Sequence, residues 1–366
     1  MSDRLNTLQL LFMFMLAIGF TSHVVAIPVL LETAHRDAWL SEVLALLFVP
    51  VFLIVPYFFM KQSKQAPLFL WLKTEFGSSI AYFFSILSSG YLLVTSCITM
   101  KDTVTFTTTS YLTTTPNIVI LLMLVLLCFW DAYCGIHSIA KTSFVILPVV
   151  LCLGVFVALA TIPQKDYSLL RPFLEDGWRP VFQGILPSLL GGTELVLLLF
   201  MQQYVRPNIS FRSFLLIGVL CASLAIGPTI GAIIEFGPEE ATKLRYPAFE
   251  QWRLVTLGTF IEHLDFLSIY QWLSGAFIRI SLATTLILEL FHVRSQKGRA
   301  WMLVAIYLGI VAFSLAPMSD TRFFQWLSLY TSRGALYLFA LSLLLSLLAL
   351  LSKLRKKRLE EKENGM

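Results

Sequence analysis

The chain has 366 residues, of which 57% are hydrophobic, 14% aromatic and only 13% charged, with a formal net charge of +5. A soluble domain carries about 25% charged residues, so a folded surface made from this composition would be mostly apolar. Soluble enzymes and nucleic-acid-binding domains are excluded, and because the basic residues fall between and after apolar runs, the chain reads as a multi-spanning membrane protein.

A spanning helix takes about 20 predominantly apolar residues, whereas the strands of a bilayer barrel alternate apolar and polar positions. Runs such as 118–130 and 341–351 do not alternate, which predicts an all-α protein. About ten spans follow in chain order, near 8–31, 39–60, 78–100, 117–134, 139–161, 181–203, 212–236, 266–291, 300–316 and 334–352. They form a single transmembrane domain over 1–352, with halves at about 8–161 and 181–352, followed by a basic and then acidic tail over 353–366. The main loops are 61–73, the threonine-rich 103–115, 163–180 and the long 237–265. The first run has no small-residue cleavage site after it and is expected to be retained. The five cysteines lie in or beside apolar runs without metal-type spacing and read as packing residues.

Orientation follows from where Lys and Arg fall. With the N-terminus in the cytoplasm, sixteen of the 27 lie in inner segments and ten in outer ones, with Arg279 inside a span. Both termini are therefore expected to be cytoplasmic.

Two spans are irregular. The first passes Gly19-Phe-Thr21-Ser22-His23 on its way to Pro28, and the sixth carries Pro187-Ser-Leu-Leu190-Gly191-Gly192-Thr193-Glu194. Proline removes a backbone donor, and each glycine weakens a helix by about 1 kcal/mol relative to alanine. In a ten-span chain these are matching positions of two five-helix halves. Paired broken helices in such positions point to the binding site of an inverted-repeat, LeuT-like transporter fold. A ligand site is expected there, near the bilayer midplane. Gly19, Thr21 and Ser22 would line one side and Leu190, Gly191, Gly192 and Thr193 the other, with Ser96, Ser281 and Thr284 as the wall.

A carboxylate or guanidinium at bilayer depth must face a cavity or a partner. Glu194 reads as a contact to a ligand amine, a proton site or a structural acceptor to a neighbouring helix, and Arg279 as facing a cavity or partner or as snorkelling to one end. The sequence does not fix whether Arg279 is the cation beside Glu194. His23 is a candidate contact or a packed donor between helices. No nucleophile–base pair, phosphate loop or metal cluster is evident, so neither an enzyme nor a cofactor or metal is expected.

The segment before the eighth span reads Tyr246-Pro-Ala-Phe249-Glu-Gln-Trp-Arg253, then Phe260-Ile-Glu262-His-Leu-Asp265, and Trp272 follows. Glu262 and Asp265 lie three apart, on one face of a helical turn. They suit a gate or docking surface, or a helix N-terminus where acids favour the dipole. This pattern, with Arg279-Ile-Ser281 after it, resembles the B subunits of endospore germinant receptors, the spore germination permeases of the amino acid–polyamine–organocation superfamily. The resemblance covers essentially the whole chain. Thr21, Ser22 and His23 depart from it, since relatives commonly carry two small residues, usually glycines, in this stretch. It implies a spore inner-membrane protein that binds a small nutrient, typically an amino acid, and signals through A-type and C-type (lipoprotein) subunits. A proton- or sodium-coupled amino acid transporter is the alternative, and a structural scaffold a third reading.

Overall fold

The computed structural model describes residues 4–207, 209–256 and 264–364, and these are almost entirely helical. Helix α1 (Thr7–Phe20) opens with a reciprocal capping box between Asn6 and Gln9. The pattern widens into a π-helix over Thr21–Ala26 before α2 (Ile27–Ala34). Pro28 accounts for the change. It has no N–H to offer the Val24 carbonyl, and an i→i+5 register offers that carbonyl the Val29 N–H instead. A 3-10 turn at His35–Asp37, with His35 at φ 49°, leads into α3 (Ala38–Gln62).

Among the described residues nine helical stretches are long and apolar enough to cross a membrane, and the first runs from Thr7 to Gln62, 56 residues. At about 1.5 Å per residue a straight helix of that length would far exceed a hydrocarbon core of about 30 Å. The chain turns at His35, so we read this stretch as two passes.

Next come α4 (Leu68–Phe76), α5 (Ser78–Ser110), α6 (Asn117–Cys134) and α7 (Ile136–Ala160). Helix α5 runs ten residues past its expected end, through much of the threonine-rich stretch predicted as a loop. Thr107, Thr108 and Thr109 donate to the carbonyls of Thr103, Val104 and Thr105 one turn back. Hydroxyls satisfied in this way leave an apolar-compatible surface and let the helix continue.

Helix α8 (Trp178–Thr193) passes without interruption into an eleven-residue 3-10 stretch, Glu194–Tyr204. After it come α9 (Phe211–Ser223), α10 (Ile226–Phe236), α11 (Pro238–Ala241) and α12 (Pro247–Arg253), then α13 (Phe266–Leu290), α14 (Gln296–Leu315) and α15 (Asp320–Asn364). Helix α15 begins fourteen residues before the expected tenth span and continues, still helical, through the basic tail.

Helices α3, α8 and α9 pack on one another with α1 against α9; α5, α6, α13 and α14 form a second group; and α13 also lies against α1. The outside of the bundle is apolar. Leu47, Val51, Phe83, Leu126, Val145 and Trp301 are all more than half exposed, which suits lipid and not water.

The expected breaks in the first and sixth spans therefore take a different form. Neither is unwound: one helix is widened to π and the other tightened to 3-10. Gly191 and Gly192 are not the break, since α8 stays α-helical through both. They serve close approach. A Cβ on Gly191 would stand 2.8 Å from Ser22 Oγ, and one on Gly192 2.6 Å from Val49 Cγ2.

Candidate functional site

Glu194 and Arg279 meet in the middle of the bundle. Arg279 projects from α13 and is 3% exposed, while Glu194, the first residue of the 3-10 stretch, is fully buried. The guanidinium grips the carboxylate with both terminal nitrogens: Nη1 donates to Oε2 at 2.7 Å and Nη2 to Oε1 at 2.5 Å. The other three N–H groups are also used. Nη1 donates to the Ala17 carbonyl at 2.9 Å, Nη2 to the Tyr330 hydroxyl at 2.7 Å and Nε to Thr99 Oγ1 at 3.2 Å. Glu194 in turn accepts from Thr21 Oγ1 and from the Tyr91 hydroxyl, both at 2.9 Å. Tyr330 lies 2.9 Å from Thr95 Oγ1 and stacks on Tyr91.

Five parts of the fold thus converge on one fully satisfied pair: α1 with its π-helix, α5, the end of α8, α13 and α15. A buried ion pair holds only when its geometry is good and the remaining lone pairs and protons are hydrogen-bonded. Both conditions are met here. Arg279 does not snorkel, and it is the cation that Glu194 requires.

The other expected site residues divide. Ser22 packs against Gly191, and Leu190 against Gly334. Thr193 is buried and donates to the Leu190 carbonyl, and Ser96 to the Leu92 carbonyl. Gly19 faces Leu224, and His23 is half-buried with Nδ1 3.1 Å from the Gly19 carbonyl. Ser281 and Thr284 turn the other way, toward the Cys128 carbonyl and the Tyr307 hydroxyl of α6 and α14. They share α13 with Arg279 but stand on its opposite face. Asp265 precedes α13 and its carbonyl accepts from Ser268 Oγ. Glu262 lies outside the described residues.

The sequence reading missed Tyr91, Thr95, Thr99 and Tyr330. Three of these carried a signal, because Tyr91, Thr95 and Thr99 recur every four residues and form a polar stripe along one helix face. Tyr330 carried none, lying before the expected tenth span. Glu42 was also passed over. It is 4% exposed on α3, with Thr229 donating to its Oε1 at 2.9 Å.

A second cluster lies seven residues along the same faces of α5 and α13, about 10 Å from the hub. Phe106 stacks on Trp272 at 3.7 Å between ring centroids, and Tyr246 and Phe249 stand edge-on to Phe106. Arg245 reaches in from the segment between α11 and α12 and donates to Asp102 Oδ1 at 2.6 Å. Burial pushes the Tyr246 phenol well up from its ordinary pKa, and the neighbouring Asp102 adds to the shift. The described part of the long 237–265 segment therefore folds down as a cap. Gln251 and Trp252 pin it to the Pro228 carbonyl and to Gln271.

A helical bundle whose two irregular helices meet at a polar hub belongs to the LeuT-like fold class. Two solved structures share the fold. MhsT in complex with L-phenylalanine superposes with a TM-score of 0.63 at 13% identity, covering 93% of this chain and 97% of that one. Mhp1, a nucleobase–cation–symport-1 family transporter in a closed conformation with bromovinylhydantoin bound, gives 0.61 at 14% identity, covering 89% and 75%. Within that class the chain belongs to the spore permease family of spore germination proteins, whose family model matches residues 4–322. It is 38% identical over 353 residues to spore germination protein XB of Bacillus anthracis, spanning 96% of this chain and 99% of that protein. Spore germination protein B2 of Bacillus subtilis (strain 168) is 21% identical over 296 residues, 78% of this chain and 79% of that one. The chain is accordingly a non-enzymatic integral membrane protein of spore germination.

Proposed function

We propose that this chain is the nutrient-sensing B subunit of a germinant receptor in the spore inner membrane, with both termini cytoplasmic. It binds a small nutrient, an amino acid in the first instance, near the bilayer midplane. It passes the resulting conformational change to A-type and C-type subunits. The observation that carries this reading is the Glu194–Arg279 hub, where five elements meet and the two irregular helices change register. A perturbation at that point is felt by all five at once. The 3-10 stretch then runs from the hub to the tail end of the bundle. There the Tyr204 carbonyl accepts from the Leu5 N–H at 2.8 Å and the Tyr204 hydroxyl donates to Glu289 at 2.9 Å. On this reading the stretch carries a change at the hub toward the end of the bundle where partner subunits would read it.

The test is made in spores lacking this subunit and complemented with either the wild-type or the Arg279→Gln chain. The wild-type chain is expected to restore the nutrient response. The variant should lose it, while co-purification with the A-type and C-type subunits shows whether the complex still assembles. An unchanged dose–response in the variant would remove the hub from the sensing site. The transporter alternative is tested in liposomes, where we expect no uphill accumulation of amino acid driven by a proton or sodium gradient.

A further inference from the structure

We infer that a cavity between α5, the start of α6 and the turn from α14 to α15 takes the headgroup of a membrane phospholipid that carries both a phosphate and a free amine, as phosphatidylethanolamine does. The phosphate sits between Lys101 and the start of α6, and the amine faces Asp320. The inference goes beyond the nutrient-binding reading and does not rest on it, because none of the hub residues lines this cavity.

Depth is the first argument. Helix α14 has 20 residues and α6 has 18. At about 1.5 Å per residue each just crosses a hydrocarbon core of about 30 Å. Asn117, where α6 begins, and Leu315, where α14 ends, both line the cavity, whose volume is about 260 Å³. It therefore lies at headgroup depth, and it is too large for a single water. Its rim adjoins the lipid-facing surface: Leu315 is exposed, as are Ile118 and Leu122, one turn apart on α6. A soluble ligand gains nothing from such a flank, whereas acyl chains lie along it.

Unused polar groups are the second argument. Lys101 Nζ donates to the Ser314 and Ala316 carbonyls at 3.2 and 2.8 Å, which leaves one of its three N–H groups for another acceptor. Ser314 Oγ, on the same wall, is buried with no hydrogen-bond partner among the described residues. Capping of α14 explains the two lysine bonds but neither the cavity nor this hydroxyl. The first N–H groups of α6 have no acceptor within their helix, and the helix dipole there favours an anion. A phosphate takes several donors at once, and Lys101, Ser314 and the α6 start supply them. Asp320 also lines the cavity, and it is exposed. A headgroup with a phosphate alone would set two anions against each other there, whereas an amine beside the phosphate pairs with the carboxylate.

The experiment uses the full chain in detergent, stripped of lipid, and reads thermal stabilisation by added probe. The probes are phosphatidylethanolamine, its N-acetyl derivative, which keeps the phosphate but loses the cation, and glycerophosphoethanolamine, which has the headgroup without acyl chains. Phosphatidylethanolamine is expected to stabilise the wild-type chain at concentrations about tenfold lower than either other probe. Asp320→Asn should abolish its advantage over the N-acetyl lipid. Lys101→Gln keeps an amide donor for the α14 carbonyls and should weaken both lipids about tenfold. Equal stabilisation by the two lipids, or stabilisation unchanged in both variants, overturns the inference and marks general solvation of the apolar flank. Glycerophosphoethanolamine acting as well as the lipid overturns the lipid as occupant, and no stabilisation by any probe overturns the site. Should Lys101→Gln not fold, an unchanged preference in Asp320→Asn overturns the inference by itself.

Discussion

Two of the arginine–carboxylate pairs, Arg279–Glu194 and Arg245–Asp102, lie about two helical turns apart, and they are built in opposite ways. In the hub, Arg279 and Glu194 both project from long helices, and every N–H of the guanidinium is used. In the cap, Asp102 projects from α5 but Arg245 comes from a connecting segment and keeps 28% of its side chain exposed. Asp102 Oδ2 and Arg245 Nη1 are buried and have no hydrogen-bond partner among the described residues. A fully satisfied network rigidifies its surroundings, whereas a partly satisfied one in a low-dielectric setting is costly and poised to rearrange. The hub therefore sets the geometry of the bundle, and the cap is the part that can lift.

Breaking the hub should cause the largest loss. Arg279→Met leaves Glu194 buried without its cation, a change that costs about 3–5 kcal/mol. The expected readout is a large drop in the thermal midpoint of the detergent-solubilised protein. The double variant Arg279→Met with Glu194→Leu removes both charges and should recover most of that loss. A double variant no more stable than the single one would mean that the pair fixes the helices by something other than charge compensation.

Breaking the cap should cost less and act elsewhere. Asp102→Asn keeps the shape but removes the charge that holds Arg245, and hydrogen bonds to charged groups are worth about 1.5–3 kcal/mol. Arg245 is partly exposed, so salt should weaken the wild-type contact as well. Hydrogen exchange across 238–253 is expected to quicken in the variant, while the backbone around Glu194 stays protected. Equal quickening in both places would make hub and cap one cooperative unit and dissolve the distinction.

The close approach at Gly191 offers a narrower test on the wall of the hub. Alanine there would set a Cβ 2.8 Å from Ser22 Oγ, and overpacking of this kind costs about 1–3 kcal/mol. Ser22→Ala removes the opposing oxygen. The pair Gly191→Ala with Ser22→Ala should therefore be less damaging than Gly191→Ala alone, a coupling that a double-mutant cycle measures. Gly192→Leu is a poorer probe, because that position abuts Val49 and Ala222 and its failure would report packing alone.

What the sequence made legible follows from the same physics. Apolar runs located the spans because lipid demands them, and Glu194 and Arg279 stood out because charge at bilayer depth needs a reason. Their pairing was not legible, since it depends on helix rotation and depth that composition does not encode. Ser281 and Thr284 show the error directly. They are polar, buried and close to Arg279 in sequence, yet two to five positions along α13 carry them to the face that packs on α6 and α14. Tyr330 was hidden by its surroundings. Asp320, Arg322 and Arg333 interrupt the early part of α15 and mask it as a span, whereas the helix in fact begins at Asp320. The masking of Thr103–Ser110 had the same cause, because hydroxyls bonded to their own helix's carbonyls are polar in sequence and nearly silent in the fold.

The smallest effect belongs to a third pair, at the tail end, which serves as the exposed reference for the other two. Glu75 of α4 accepts from Ser352 Oγ at 2.6 Å and from Lys356 Nζ at 2.5 Å. Partial burial pushes the Glu75 carboxyl up, but Lys356, Ser352 and Arg355 outweigh it and hold the group below its ordinary value. A carboxylate with a lowered folded-state pKa contributes stability above its unfolded value and loses it as pH falls through the folded one. The contribution should therefore be constant at neutral pH and vanish on acidification below the ordinary glutamate range. Lys356 is 60% exposed, so solvent screening limits the pair to under about 1 kcal/mol. Lys356→Met should lower the thermal midpoint slightly at pH 7, and that small difference from wild type should close both at low pH and at high salt. If the difference instead persists at low pH, the α4–α15 contact is held by packing of the lysine stem. The gradient from hub to cap to tail would then not be one of charge burial alone.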